Sequence, residues 1–143
     1  MAIRQITVFV ENKQGALVSI TNKLAENDIN IRALSIAETE EFGILRLIVN
    51  DEEAAKKTLT NAGYLIKVTN VVGVKISDEP GKLNEALTVI DRVGINMEYL
   101  YAFMLRTEKY AYVVLRVEDN EAAESALTQA GFNLVTEDDV KKL

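Results

Sequence analysis

Two stretches decide the reading of this chain: Glu11-Asn12-Lys13-Gln14-Gly15-Ala16-Leu17 and Ser77-Asp78-Glu79-Pro80-Gly81-Lys82-Leu83. Their Gly-x-Leu endings lie 66 residues apart, and Ile29-Asn30-Ile31 recurs at the same offset as Ile95-Asn96-Met97. Further on, Asp51, Glu53, Ala54 and Ala55 return as Asp119, Glu121, Ala122 and Ala123, now at an offset of 68. Leu59-Thr60 and Ala62-Gly63 return at 68 as Leu127-Thr128 and Ala130-Gly131. Self-similarity at a fixed spacing marks one supersecondary unit copied. The offset changes once, between Met97 and Asp119, which fits an insertion at a hairpin tip, where length is tolerated. Asn70 is the natural junction, giving units 1–69 and 70–143. No Gly/Ser/Pro linker separates them, so they are expected to pack rigidly together.

Each unit reads as the same series of elements. Ile6, Val8 and Val10 alternate with Gln5, Thr7 and Phe9, which predicts a strand. A helix then opens at Gly15, with Leu17, Ile20 and Leu24 on one face; its copy carries Leu83, Ala86, Leu87 and Ile90. Asn27-Asp28 and Gly94 sit at left-handed helix exits. Ile29 to Ile36 and Gly43 to Val49 form a hairpin around Glu38-Thr39-Glu40-Glu41. Asp51 caps a second helix that ends at Gly63, and Tyr64 to Val68 is a last strand. The order β-α-β-β-α-β predicts an α+β, ferredoxin-like fold: an antiparallel sheet with both helices on one face, twice over.

Such a sheet leaves one face open, and an open face should alternate with polar residues. Met97 to Met104 and Tyr110 to Leu115 are instead apolar nearly throughout. We therefore expect the second unit's open face to be covered, most simply by a second copy in a homodimer. Tyr99, Tyr101, Tyr110 and Tyr112 are read as packing residues on that face.

Composition removes whole classes of function. The chain has 143 residues and no cysteine or histidine. That excludes disulfides, thiolate metal sites, and Ser-His-Asp or Cys-His catalysis. Lys plus Arg is 16 against 22 acidic residues, a net charge of −6, with no basic stripe for a nucleic acid. Glu38, Glu40 and Glu41, and Asp138 with Asp139, are read as solvated acidic surface and not as a metal site, since no calcium-loop spacing is present. No cofactor motif occurs. Apolar runs are too short to span a membrane, and Met1 to Gln5 does not resemble a signal peptide, so a cytoplasmic protein is expected.

The loop after each first strand carries the remaining chemistry. Glycine leaves room for close approach, and the first turn of a helix offers free N–H groups and a partial positive charge, which suit a carboxylate. Asn12 or Asp78 beside it could accept from an ammonium group. An ordinary turn, with Asn or Asp capping the helix, uses the same residues, and spacing does not choose between the two.

The βαββαβ order, the D/N-x-P-G-x-L loop and the Ile-Asn-Ile segment after it resemble the ACT domain, over the whole chain and twice. The resemblance implies a regulatory small-molecule module, mostly for amino acids, with ligand held between two units. One unit would supply its β1–α1 loop and the other the start of its second strand. Carried onto this sequence, the loop positions are Asn12, Gly15, Ala16 and Leu17, and Asp78, Pro80, Gly81, Lys82 and Leu83. The strand positions are Asn30, Ile31, Asn96 and Met97. Gln14 stands where proline is usual, so the resemblance favours the second loop. There Asp78 would hold the ammonium, and the amides of Gly81 to Leu83 the carboxylate. The resemblance further implies a non-enzymatic role and a separate partner enzyme or regulator of amino-acid metabolism. The alternative is a dimerisation or docking module with no small-molecule ligand. A small enzyme built on Asp78, Lys82 and Arg116 is the weakest reading, because fold alone never implies catalysis.

Overall fold

The computed structural model describes residues 2–105 and 109–143. The elements run β1 (Ile3–Glu11), α1 (Ala16–Glu26), β2 (Ile31–Glu38), β3 (Phe42–Val49), α2 (Glu52–Asn61), β4 (Ile66–Ser77), α3 (Lys82–Arg92), β5 (Met97–Ala102), β6 (Tyr110–Val117), α4 (Asn120–Gln129), β7 (Asn133–Val135) and α5 (Glu137–Lys142). Local chemistry explains the boundaries. Asp51 and Asp119 each accept from the amide three residues on, Ala54 and Ala122, at 3.1 Å. Such caps contribute about 1 kcal/mol. Asp28 takes a φ of 56° and Gly94 of 75°, the left-handed exits expected of α1 and α3.

The strands follow the path β2-β3-β1-β4-β6-β5, with β7 also on β4. Here the structure departs from the expected pair of separate sheets. The last strand of the first unit and the first strand of the second are one continuous strand, β4, and Asn70 lies inside it. The first half of β4 pairs with β1, from Val8↔Ile66 to Ile3↔Val71. Its second half pairs with β6, from Val72↔Leu115 to Ser77↔Tyr110, and with β7 at Gly73↔Val135. The Asn70 carbonyl accepts from Asn120 Nδ2 at 3.1 Å, which holds the junction to the second unit. Ile31 and Met97 open their strands 66 apart, while Phe42 and Tyr110 open theirs 68 apart. The inserted residues therefore fall in the β5–β6 hairpin, whose residues 106–108 lie outside those described.

The helices cover the outer face. Ile6, Val8, Ile20, Leu24, Leu45 and Leu59 form one core, and Val74, Ala86, Ile90, Leu115, Ala123 and Leu127 its counterpart. The sheet then curls until its outermost strands meet. Ala33 of β2 bridges Phe103 in antiparallel sense, and the Met104 amide donates to the Arg32 carbonyl at 2.8 Å. The inner face becomes a third core, including Ile3, Ala33, Ile48, Val71, Tyr101 and Val114. The apolar strands of the second unit are therefore covered by the first unit's sheet, from within the chain. The second copy expected on this face is replaced by the first unit, because a curled sheet buries both open faces against each other.

That interior also explains the polar side of β1. Gln5 is fully buried and Thr7 nearly so. Gln5 Oε1 accepts from the Tyr101 hydroxyl at 2.7 Å, and Gln5 Nε2 donates to Tyr99 at 2.8 Å and Thr7 at 3.1 Å. The Arg46 guanidinium lies 3.7 Å from the Tyr99 ring centroid. Burial pushes the Tyr101 pKa above the ordinary tyrosine range, with Tyr99 adding to the rise and Arg46 opposing it, so the hydroxyl stays a donor.

Helix α5 was not foreseen. Asp138 and Asp139 read as solvated acids, yet Asp139 completes a capping box with Thr136, accepting from the Thr136 amide at 2.9 Å. Val140 is buried in the third core, and Arg32 donates to the Val140 and Lys141 carbonyls at 3.0 Å each. No described helix is long and apolar enough to cross a membrane.

Two substitutions test the shared interior. Tyr101→Phe orphans the buried Gln5 acceptor and is expected to cost about 1–3 kcal/mol, read as a lower urea midpoint with unchanged m-value. At Gly73 an added Cβ would sit 2.8 Å from Val135 Cβ and 3.1 Å from Ile3 Cδ1. Gly73→Ala is therefore expected to lower the melting temperature through about 1–3 kcal/mol of overpacking. A neutral result would show that β7 gives way.

Candidate functional site

The two loops that the sequence singled out have the same backbone design. The Asn12 amide donates to the Glu41 carbonyl at 3.1 Å, and its side chain to the Thr39 carbonyl at 3.2 Å, which ties the first loop to the β2–β3 hairpin. In the second loop the Asp78 amide donates to the Lys109 carbonyl at 2.9 Å. Gly15 and Gly81 precede α1 and α3 with φ of 83° and 87°, a conformation that favours glycine. A Cβ at either glycine would meet nothing within 4 Å, so both face open space.

Neither α1 nor α3 has a side-chain cap, unlike α2 and α4. Asn12 gives its Nδ2 to the hairpin and keeps Oδ1 as an acceptor, and Asp78 is exposed. The reading in which these residues simply cap a helix is therefore not the one adopted. Pro80 and Gly81 are exposed, while Lys82 and Leu83 are half-buried, with Lys82 Nζ 3.4 Å from Glu85. Ala16 is half-buried and Leu17 exposed.

The strand positions lie elsewhere in each unit. Helix α1 has 11 residues and separates Gly15 from Asn30 by about 16 Å of helix. Ile31 packs against the first outer core and Met97 against the second. Asn30 exchanges two hydrogen bonds with Asn50: its amide donates to Asn50 Oδ1 at 2.8 Å, and its carbonyl accepts from the Asn50 amide at 3.0 Å. The Asn96 carbonyl accepts from the Glu118 amide at 3.1 Å. No unit brings its own loop and strand positions into one cleft.

The first loop lies between two clefts. One, of about 330 Å³, is lined by Val10, Asn12, Ala16, Leu17, Ile36 and Glu38 among others. The other, of about 600 Å³, runs past Gly15 and Ser19 between Phe9, Phe42, Tyr64 and Leu65. Beside the second loop the groove along Lys75, Lys82, Tyr110 and Asn133 holds about 230 Å³. The sequence pattern favoured the second loop, yet the larger volumes flank the first. Phe42 opens β3 and Leu65 immediately precedes β4, places where alternation carries no signal, and Ile36, within β2, reads only as a strand residue.

Comparison with known proteins agrees with this architecture. A family model described as an ACT domain pair matches residues 1–143. No curated protein sequence matches the chain. Among solved structures, protein BT0572 from Bacteroides thetaiotaomicron superposes with a TM-score of 0.93 at 35% identity, covering 100% of this chain and 98% of that one. The ligand-free regulatory subunit of aspartate kinase from Thermus thermophilus superposes with a TM-score of 0.66 at 18% identity, covering 90% and 91%. A chain from a structure of aspartokinase alpha and beta subunits gives 0.59 at 18%, covering 89% and 90%. The last two likenesses are of fold. With both units matched from end to end, the chain belongs to the family of ACT domain pairs.

Proposed function

We propose that this chain is a non-catalytic, cytoplasmic allosteric regulator that binds a free amino acid at its β1–α1 loops and signals to a separate partner enzyme. The observation that carries the reading is the contrast between helix starts. α2 and α4 are closed by aspartate side chains, whereas α1 and α3 open at a left-handed glycine with no side-chain cap. The first amide of each helix, Ala16 and Lys82, already donates to the Lys13 and Glu79 carbonyls, and the amides that follow it suit a carboxylate. Asn12 and Asp78 stand in the loops as acceptors for the ammonium, and Asn30, Ile31, Asn96 and Met97 are the positions from which a neighbouring unit would contribute.

A partner enzyme is consistent with the fold shared with chains named as regulatory subunits of aspartate kinase. A ligand regulates only through different affinities for two arrangements, typically about 1–3 kcal/mol apart. The docking-module alternative drew its support from the apolar sheet face, and that face is filled within the chain. A homodimer stays in the proposal only through other surfaces.

A thermal-melt screen against the twenty amino acids at millimolar concentration tests the reading. Ligand at 100 times its dissociation constant stabilises by about 2.7 kcal/mol, a rise of several degrees. A selective rise, reduced in Asn12→Ala or Asp78→Ala, is the expected result. The absence of any selective rise would sink the amino-acid reading.

A further inference from the structure

The two grooves beside the loops are copies of one feature. Phe9, Ala16 and Ser19 of the first correspond at the 66-residue offset to Lys75, Lys82 and Glu85 of the second. At the 68-residue offset Phe42, Tyr64 and Leu65 correspond to Tyr110, Phe132 and Asn133. The backbone frame is shared, so the difference between the grooves is one of side chains.

Those side chains have diverged in one direction. In the first groove Phe9, Phe42 and Leu65 are 39%, 53% and 70% exposed, an unusual density of large apolar surface around one opening. Four of its polar side chains are already bonded in pairs. Ser19 and Tyr64 share a hydrogen bond at 2.9 Å, and Glu11 pairs with Lys13 at 3.0 Å. A charged or strongly polar ligand side chain would have to break those pairs. At about 600 Å³ the groove lies within the ordinary range for small-molecule sites.

The second groove is filled by its own residues. Lys75 Nζ lies 4.0 Å from the Tyr110 ring centroid and 6.0 Å from that of Tyr112, and Lys82 is drawn to Glu85. This cation–π stack stands where Phe9 and Phe42 line the open groove of the first unit, and the space beside Lys75 is divided into clefts of about 230 and 280 Å³.

We infer that the ligand is an α-amino acid with a branched aliphatic or aromatic side chain, seated against Phe9, Phe42 and Leu65 in the first unit alone, at one site per chain. The inference rests on the amino-acid reading above and adds to it the ligand's chemical class and the working unit. The departure at Gln14 then marks no loss of function, and it is the second loop that has become structural.

Calorimetric titration of the full chain with leucine, phenylalanine, aspartate and lysine tests it. Leucine or phenylalanine is expected to bind with a stoichiometry of one, and aspartate and lysine not to bind. Phe9→Lys and Leu65→Asn, which install the second unit's residues at exposed positions, should each weaken binding by about 10- to 200-fold, the range for a misfit in an apolar pocket. Lys75→Ala in the second groove should leave binding unchanged. Tight binding of leucine or phenylalanine that survives both first-groove variants overturns the assignment. So does a loss in Lys75→Ala, a stoichiometry of two, or a preference for aspartate or lysine, each of which leaves the amino-acid reading standing. If none of the twenty amino acids binds, that reading fails first and this one with it. Because Leu65 is the more exposed of the two, Leu65→Asn decides the matter if Phe9→Lys unfolds.

Discussion

A strand shared by two sheets cannot be bent freely by either, and β4 imposes that constraint on the whole molecule. Its first half answers the hydrogen bonds of β1, and its second half those of β6 and β7. The twelve residues from Ile66 to Ser77 therefore fix the height and rotation of one unit against the other. A flexible joint at Asn70 would break a ladder at its centre, exposing backbone groups that cost energy when left unpaired. With the units fixed in this way, the natural twist of the strands brings β2 round to β5, and the two open faces close on each other.

The closed interior then dictates side-chain chemistry on strands far apart in sequence. A buried glutamine is costly unless its amide is bonded on both sides, and Gln5 is bonded at both ends. Its partners come from β1 and β5, one unit each. The network thus links the units with directional bonds, where an apolar core alone would tolerate sliding. Arg46 from β3 covers the Tyr99 ring and extends the same link to a third strand. Because Tyr101 keeps its proton well above neutral pH, this link does not weaken across the physiological range.

Most of the fold was legible because it depends on local signals that the repeat states twice. Glycine and aspartate mark the helix ends in both copies, and the alternation of Ile6, Val8 and Val10 marks the core face of β1. Three features were not legible, each for a physical reason. The fusion of two strands into β4 leaves no mark, since Val68 to Val71 reads equally well as a strand end or as its continuation. The closure of the sheet depends on twist accumulated over six strands, which no window of sequence contains. Helix α5 is a single turn and a half with acids in its first turn, a pattern that on its own resembles solvated surface; only the burial of Val140 and the Arg32 bonds to its last carbonyls give it a place. For the candidate site, the loops are marked by their glycines, while the groove walls at Phe9 of β1, Phe42 of β3 and Leu65 just before β4 have no common spacing.

Duplication also explains why the two loops need not share a task. Two copies of one frame inside a chain start with equal potential, and if the frame binds a ligand, one copy can be filled without loss while the other stays open. Lys75 in place of Phe9 does this in the second unit. Its ammonium stacks on Tyr110, at the position where the first unit exposes Phe9. The same replacement adds a positive charge and an aromatic contact on the half of the molecule that carries α5. On the proposed reading the second unit acts as a support and the first as the receptor. A change at one loop would reach the other unit through the shared strand, the Gln5 network, the Ala33–Phe103 bridge and the third core. The units are thus coupled by the same contacts that hold them together.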